Sequence, residues 1–367
     1  MNSKPLTEHK KIHQKSFGHL SNGENAQLFI LKNSHGTEVS ITNFGAIITG
    51  LSIADANGNF DDIVLGYENV TDYENDTYYL GAIIGRYAGR IKNGEIIVNN
   101  HKYQLTLNAG NSQLHGGNKG LNKQLWRAHY NTNDTSVTLV LAYTSPDGEE
   151  GFPGTVDFKV HYTLTEENEL IVEYFASADQ TTIINLTQHS YFNLAGHDNG
   201  NIEDHYLTMN AQYYLPMNNE AYPTGEIKAV QGGIHDFRQS KRIGKDISSK
   251  DPQIIIGKGY DNYWLLNELD SSQQSYSAQV EERKSGRRMT VVTDQPSLIL
   301  YTANYIDGSH IGKNNTCYQQ RAALCLEPVR AVTKNYINDF TPTMLYPDKP
   351  FYGKTVYRFD TIAKKLD

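Results

Sequence analysis

Val156-Asp157-Phe158-Lys159-Val160-His161-Tyr162-Thr163-Leu164-Thr165 alternates apolar and polar side chains from end to end. A period of two puts one set of side chains on a core and the other in water, the pattern of a half-buried β-strand. Glu166-Glu167-Asn168-Glu169 then turns the chain, and Leu170, Val172 and Tyr174 restart the alternation, so the stretch predicts a β-hairpin. A second hairpin is predicted over residues 95–107, with Asn99-Asn100 at its tip, where asparagine tolerates positive φ. Further strand runs lie at residues 38–53, 137–143, 289–293 and 298–303. Helical signals are few; residues 70–75 suit a turn or two, and no stretch keeps a period of 3.6. Many short strands separated by turns imply an all-β fold, a large antiparallel sandwich or barrel. With no internal repeat, linker or low-complexity tract, the expectation is a loosely ordered tail over residues 1–17 and a single domain over 18–367.

Composition narrows the function classes. The chain has 367 residues, 38% of them hydrophobic and 20% charged, within the range of a folded globular protein. Its formal net charge of −8 disfavours nucleic acid and anionic membranes, which call for a basic surface. Cys317 and Cys325 are too few for a disulfide framework and are expected to be buried thiols. Residues 1–16 are polar and basic without an apolar core, which does not read as a secretory signal, and no run is long enough to cross a membrane as a helix. The cytoplasm follows as the default expectation. Tyrosine is abundant, 25 residues, and strand propensity accounts for most of that.

Four polar clusters could carry chemistry. They are Gly85-Arg86-Tyr87-Ala88-Gly89-Arg90, Asn111-Ser112-Gln113-Leu114-His115-Gly116-Gly117, Asn185 through Leu194 around Gln188-His189-Ser190-Tyr191, and the pair Gly259-Tyr260-Asp261 and Cys325-Leu326-Glu327. Taken singly each has a plain reading: a turn arginine, a structural histidine, a strand-end carboxylate. Glu327 follows an apolar run, so it is either a surface group or a part-buried one with a raised pKa. His189, His197 and His205 recur every eight residues, which suits no shared helix face, and no metal is expected. There is no nucleophile-elbow serine, no P-loop and no dinucleotide glycine fingerprint after a strand. Asp261 and Glu327 remain open as a glycosidase-type carboxylate pair.

Together the clusters resemble the aldose 1-epimerase (galactose mutarotase) family over nearly the whole chain. The resemblance includes Gly81-Ala82-Ile83-Ile84-Gly85-Arg86, Leu114-His115-Gly116-Gly117, Ser145-Pro146-Asp147-Gly148-Glu149-Glu150-Gly151-Phe152-Pro153-Gly154, Pro223-Thr224-Gly225-Glu226, Asp236-Phe237-Arg238 and Leu300-Tyr301-Thr302-Ala303-Asn304. It implies a very large antiparallel β-sandwich, a supersandwich, with a sugar site on a concave sheet face. It further implies that His189 is a general acid and Glu327 a general base. Arg90, His115, Ser190, Tyr191 and Asp261 would bind the substrate. Departures from the family pattern fall at Gly89 (commonly Asn), Gln188 (often Asn), Ile299 (in some members Gln) and Pro328-Val329 (often Thr-Gln).

Mutarotation of a free hexose needs one base at the C1 hydroxyl and one acid at the ring oxygen, and neither cofactor nor metal. The implied partner is a small neutral sugar, met by a monomer or homodimer. Alternatives are an inactive sugar-binding module on the same fold, a carbohydrate-cleaving enzyme, and a mutarotase specialised for a disaccharide such as maltose.

Overall fold

The computed structural model describes residues 11–269, 276–330 and 340–362. The hairpin read from the alternation supplies the third and fourth strands of a nine-stranded antiparallel sheet, where Val156–Thr165 pairs with Glu169–Ala178 on one side and Ser136–Ser145 on the other. Val156, Phe158, Val160, Tyr162 and Leu164 are at most 1% exposed. Against them packs a five-stranded sheet that holds Asp261–Leu266, Ser297–Tyr301 and Cys325–Val329 as neighbours. A second five-stranded sheet, from Ile12–His19 to Phe60–Asp62, closes the layers. Fully burying a Val, Leu or Phe contributes about 1.5–3 kcal/mol each, so these interleaved rows dominate the stability of the fold.

The expected elements are mostly found, with corrections. Residues 95–98 and 101–104 form the second hairpin, with Asn99 and Asn100 at φ 50° and 63°. The run at 38–53 is two strands, Glu38–Thr42 and Ile47–Ala54, because Gly45 and Ala46 turn the chain at φ 65° and 51°. The tail expected through residue 17 is not loose over its last residues. Ile12–His19 pairs antiparallel with Asn25–Lys32, and as an edge strand exposed on most side chains it carries no apolar alternation to announce it. The first ten residues of that tail lie outside the described residues. Cys325 is buried as expected, but Cys317 is exposed, in a loop where its thiol reaches the Gly308 carbonyl. Among the described residues no helix is long and apolar enough to cross a membrane.

Several histidines are sealed in this core. His205 accepts the Leu194 N–H at Nε2, at 2.9 Å, and His235 stacks on Tyr214 with ring centroids 4.0 Å apart. Burial holds both down to about 4. A histidine with a depressed folded pKa contributes stability above its unfolded value near 6.5, and that contribution is lost as pH falls through the folded value. Unfolding free energy measured in urea is therefore expected to start falling just below about pH 6.5, by several kcal/mol in all before pH 4. A plateau from pH 7 down to the carboxylate range would contradict this.

Candidate active site

Three adjacent strands build the floor of the site. Cross-strand register aligns Tyr263, Ile299 and Glu327 in one row, and Asp261, Tyr301 and Cys325 in the next row on the same face. The opposite face sends Trp264, Leu298, Leu300 and Leu326 into the core. Ser297–Tyr301 and Cys325–Val329 are buried on both faces, which explains why they show no alternation of apolar and polar side chains. Over the floor lies a cavity of about 240 Å³, walled by Tyr78, Tyr79, Arg90, His115, His189, Tyr191, Met217, Pro223 and Tyr305.

His189 and Glu327 sit at its base. His189 Nε2 lies 3.6 Å from Glu327 Oε1, and the two residues are 4% and 2% exposed. Glu327 Oε2 has no hydrogen-bond partner. His189 Nδ1 faces Cys325 Sγ at 3.6 Å, which leaves Nε2 as the nitrogen turned toward the carboxylate and the cavity. The imidazole stacks on Tyr191 with centroids 5.1 Å apart and meets His115 edge-on at 5.5 Å. Burial pushes the two groups in opposite directions. The Glu327 carboxyl is raised well above the carboxylate range, first by burial and then by the Asp261 charge. His189 is pushed down to about 4 by burial. Loss of solvation thus favours the state in which both groups are neutral.

Around the pair stand groups suited to holding hydroxyls. Asp261 is pushed up to about 6 by enclosure, against the pull of Arg90. The side chains of Arg90 and Asp261 both line the cavity, and among the described residues neither makes a hydrogen bond. His115 Nδ1 accepts the Gly89 N–H at 3.2 Å. Burial, and then the charges of His189 and Arg90, hold its pKa well below the usual value. The neutral ring therefore carries its proton on Nε2, as a donor into the cavity.

The motif loops explain themselves as scaffolding. Arg86 is buried and donates to Ser145 Oγ, and to the carbonyls of Ser145, Pro146 and Pro153. Glu150 accepts the N–H groups of Asn118 and Lys119, tying down the loop after His115. Gly116 has φ +92°, and a Cβ there would stand 1.9 Å from the Gly85 carbonyl oxygen, so only glycine fits. Asp76 accepts from the Tyr67 hydroxyl and the Tyr78 and Leu80 N–H groups, which sets the loop that carries Tyr78 and Tyr79.

Of the residues anticipated from sequence, the fold brings Arg90, His115, His189, Tyr191, Asp261 and Glu327 to one cavity. Ser190 is a correction. It sits between two cavity residues, His189 and Tyr191, but is itself buried at 1% and outside the cavity lining. The eight-residue histidine spacing marks no common centre: His197 reaches Tyr318 and Asn314, and His205 reaches Leu194. Sequence reading missed the aromatic wall of Tyr79, Tyr263, Tyr301 and Tyr305; the excess of tyrosine was the available signal. Ile299, noted as a departure from the family pattern, places an apolar side chain opposite Glu327. Gln188 is structural, donating to the Gly81 carbonyl at 2.7 Å and accepting the Ser190 N–H at 2.8 Å.

Known proteins resemble the chain along most of its length. The family model for aldose 1-epimerase matches residues 27–358. The galactose mutarotase of Homo sapiens is 38% identical over 349 residues, covering 94% of this chain and 97% of its own. That of Sus scrofa is 37% identical over 348 residues, with the same coverage. Among solved structures, galactose 1-epimerase from Lactobacillus acidophilus NCFM superposes with a TM-score of 0.86 at 28% identity, covering 96% of this chain and 99% of that one. A sandwich of this topology, an enclosed His–Glu pair and full-length similarity agree, and the chain belongs to the aldose 1-epimerase family.

Proposed function

We propose that this protein interconverts the α and β anomers of a free aldohexose such as glucose or galactose, with His189 as general acid and Glu327 as general base. The observation that carries the proposal is the enclosed pair, 3.6 Å apart, on the floor of a cavity sized for one sugar ring. Glu327 takes the C1 hydroxyl proton while His189 delivers one to the ring oxygen, and the ring opens to the aldehyde. Rotation about the C1–C2 bond followed by the reverse transfers closes the other anomer. Ring opening carries the pair from carboxylate and imidazolium to carboxylic acid and imidazole, both neutral. Burial favours that neutral state, so the dry floor lowers the cost of holding the open-chain sugar.

Arg90, His115 and Asp261 orient the ring through its hydroxyls, and the tyrosine wall packs against its C–H faces. Arg90 is the one permanent cation among the lining residues, and the same wall holds two carboxyls. That supports neutral sugars over sugar phosphates, which call for paired basic groups. The cavity lies below the roughly 300–1,000 Å³ of sites for drug-sized ligands, which supports a single ring over a disaccharide.

Polarimetry on freshly dissolved α-glucose and α-galactose tests the reading. Relaxation faster than the spontaneous rate is expected, with lower kcat/KM for glucose 6-phosphate and maltose. Unchanged or slowed relaxation would mark a binder, and new reducing ends from a disaccharide a cleaving enzyme. The pH profile of kcat/KM is expected to decline shallowly below about 6, as Asp261 takes up a proton, and steeply near 4, where the His189–Glu327 pair takes up a second proton and no carboxylate is left to act as base. A single acidic limb near 6.5, the value of a solvated histidine, would contradict the enclosed pair.

A further inference from the structure

Cys325 takes no part in the proton transfers, yet it lies against the groups that do. It and Glu327 are two residues apart on the strand Cys325–Val329, so thiol and carboxylate project from the same face. His189 lies over both: Nδ1 is 3.6 Å from Sγ, and Nε2 is 3.6 Å from Oε1. One ligand atom from each of the three residues falls within 4.8 Å of the others. Among the described residues this is the one set of three such donors in that reach. Glu327 Oε2, in a residue only 2% exposed, also lacks any partner, so the carboxylate has acceptor capacity to spare.

We propose that His189, Cys325 and Glu327 form an inhibitory site for a thiophilic divalent cation, zinc in the first place. A tetrahedral zinc holds sulfur at about 2.3 Å and nitrogen or oxygen at about 2.0–2.2 Å, which puts neighbouring donors roughly 3.3–3.6 Å apart. Whichever imidazole nitrogen serves, one edge of the triad is already 3.6 Å, and the other edges, all within 4.8 Å, need at most about 1 Å of closure to reach that spacing, within reach of a side-chain rotation. One sulfur, one imidazole and one carboxylate select zinc or cadmium over magnesium and calcium, which take oxygen ligands. Binding replaces the thiol proton and the carboxyl proton of Glu327: the S–H and O–H bonds break, the S–Zn and O–Zn bonds form, and both protons leave to solvent. His189 and Glu327 border the cavity and Cys325 lies behind them, so the fourth zinc position faces the cavity and takes water. Bound metal occupies both proton-transfer groups, and inhibition should be competitive with sugar. That last step rests on the proposed roles of His189 and Glu327; metal binding itself does not.

The two parts are separable by experiment on the reduced, full-length protein. Zinc is titrated in competition with a chromophoric chelator, without sugar. Cadmium is titrated while the ultraviolet thiolate-to-cadmium band is followed. One equivalent is expected to bind, and magnesium none. Cys325→Ser should weaken zinc at least 10-fold and abolish the cadmium band, while Cys317→Ser, at the exposed thiol, should leave both unchanged. X-ray absorption of the zinc-loaded wild type should show one sulfur in the first shell, which tests the site even if Cys325→Ser folds poorly. Polarimetric activity should fall with the same midpoint, recover with EDTA, and be protected by sugar. A shell of nitrogen and oxygen alone would overturn the proposal. So would equal zinc affinity in Cys325→Ser, loss of the band in Cys317→Ser, or full activity with the site loaded. If zinc binds at Cys325 but no sugar is epimerised, the metal site stands and the proposed function fails.

Discussion

Glu327→Gln is expected to lower kcat by roughly 10²–10⁴-fold with the fold intact. The substitution keeps the shape of the side chain and removes its ability to accept a proton. The carboxyl is buried with one oxygen unpartnered, so it already burdens the folded state. Replacing it with a neutral amide removes that burden but leaves amide hydrogens to satisfy, and unfolding free energy should stay within about 1–3 kcal/mol of wild type. Loss of activity would thus come from chemistry, and circular dichroism with urea unfolding can establish that. His189→Asn should lose a similar factor by removing the acid. The double variant should lose little more than either alone, since acid and base act on one proton inventory. A well-folded Glu327→Gln protein that keeps most of its kcat would rule out the mechanism.

Arg90→Ala should cost kcat/KM roughly 10- to 160-fold, the equivalent of about 1.5–3 kcal/mol for a lost charged hydrogen-bond partner. A second effect follows from geometry. The Arg90 charge holds Asp261 below where burial alone would put it, and even so the carboxyl sits at about 6. Without the guanidinium that value rises further, and more Asp261 is protonated at neutral pH. KM in the variant should therefore climb as pH falls through 7, before wild-type KM does. Arg90→Lys should restore the charge, and with it the Asp261 titration, but only part of the affinity, because an ammonium lacks the planar two-pronged donor. Wild-type kcat and KM in Arg90→Ala would remove Arg90 from the site. A changed kcat with unchanged KM would give it a role in the chemistry instead of in orientation.

Most of the architecture was legible because part of it is wet on one face. The stretch 156–178 alternates since its outer side chains meet solvent, and alternation is the signal that specifies a strand. The strands that build the site, Ser297–Tyr301 and Cys325–Val329, are buried on every residue. Their apolar runs say that they are interior and not which face holds the site. The tail failed for the opposite reason, since Ile12–His19 is an edge strand exposed on most residues and held by backbone pairing that leaves no pattern in side chains.

The site shows the same division. Residue types in order identified the family, and that brought His189, Glu327, Arg90, His115, Tyr191 and Asp261 forward together. Nothing local separates Arg90 from Arg86, yet one faces the cavity and the other clamps the 145–153 loop. Nor does local sequence separate Ser190 from its neighbours, although His189 and Tyr191 line the cavity and Ser190 does not. What the amino-acid sequence determined by itself was the chemistry available and the strand period that builds the sheets. Which donors meet, and in which protonation state, was decided by tertiary structure. His189 and Cys325 stand 136 residues apart in the chain and 3.6 Å apart in space. The opposite pushes on His189 and Glu327 come from solvent excluded by strands distant in sequence, because desolvation belongs to the assembled interior and not to any one segment of the chain.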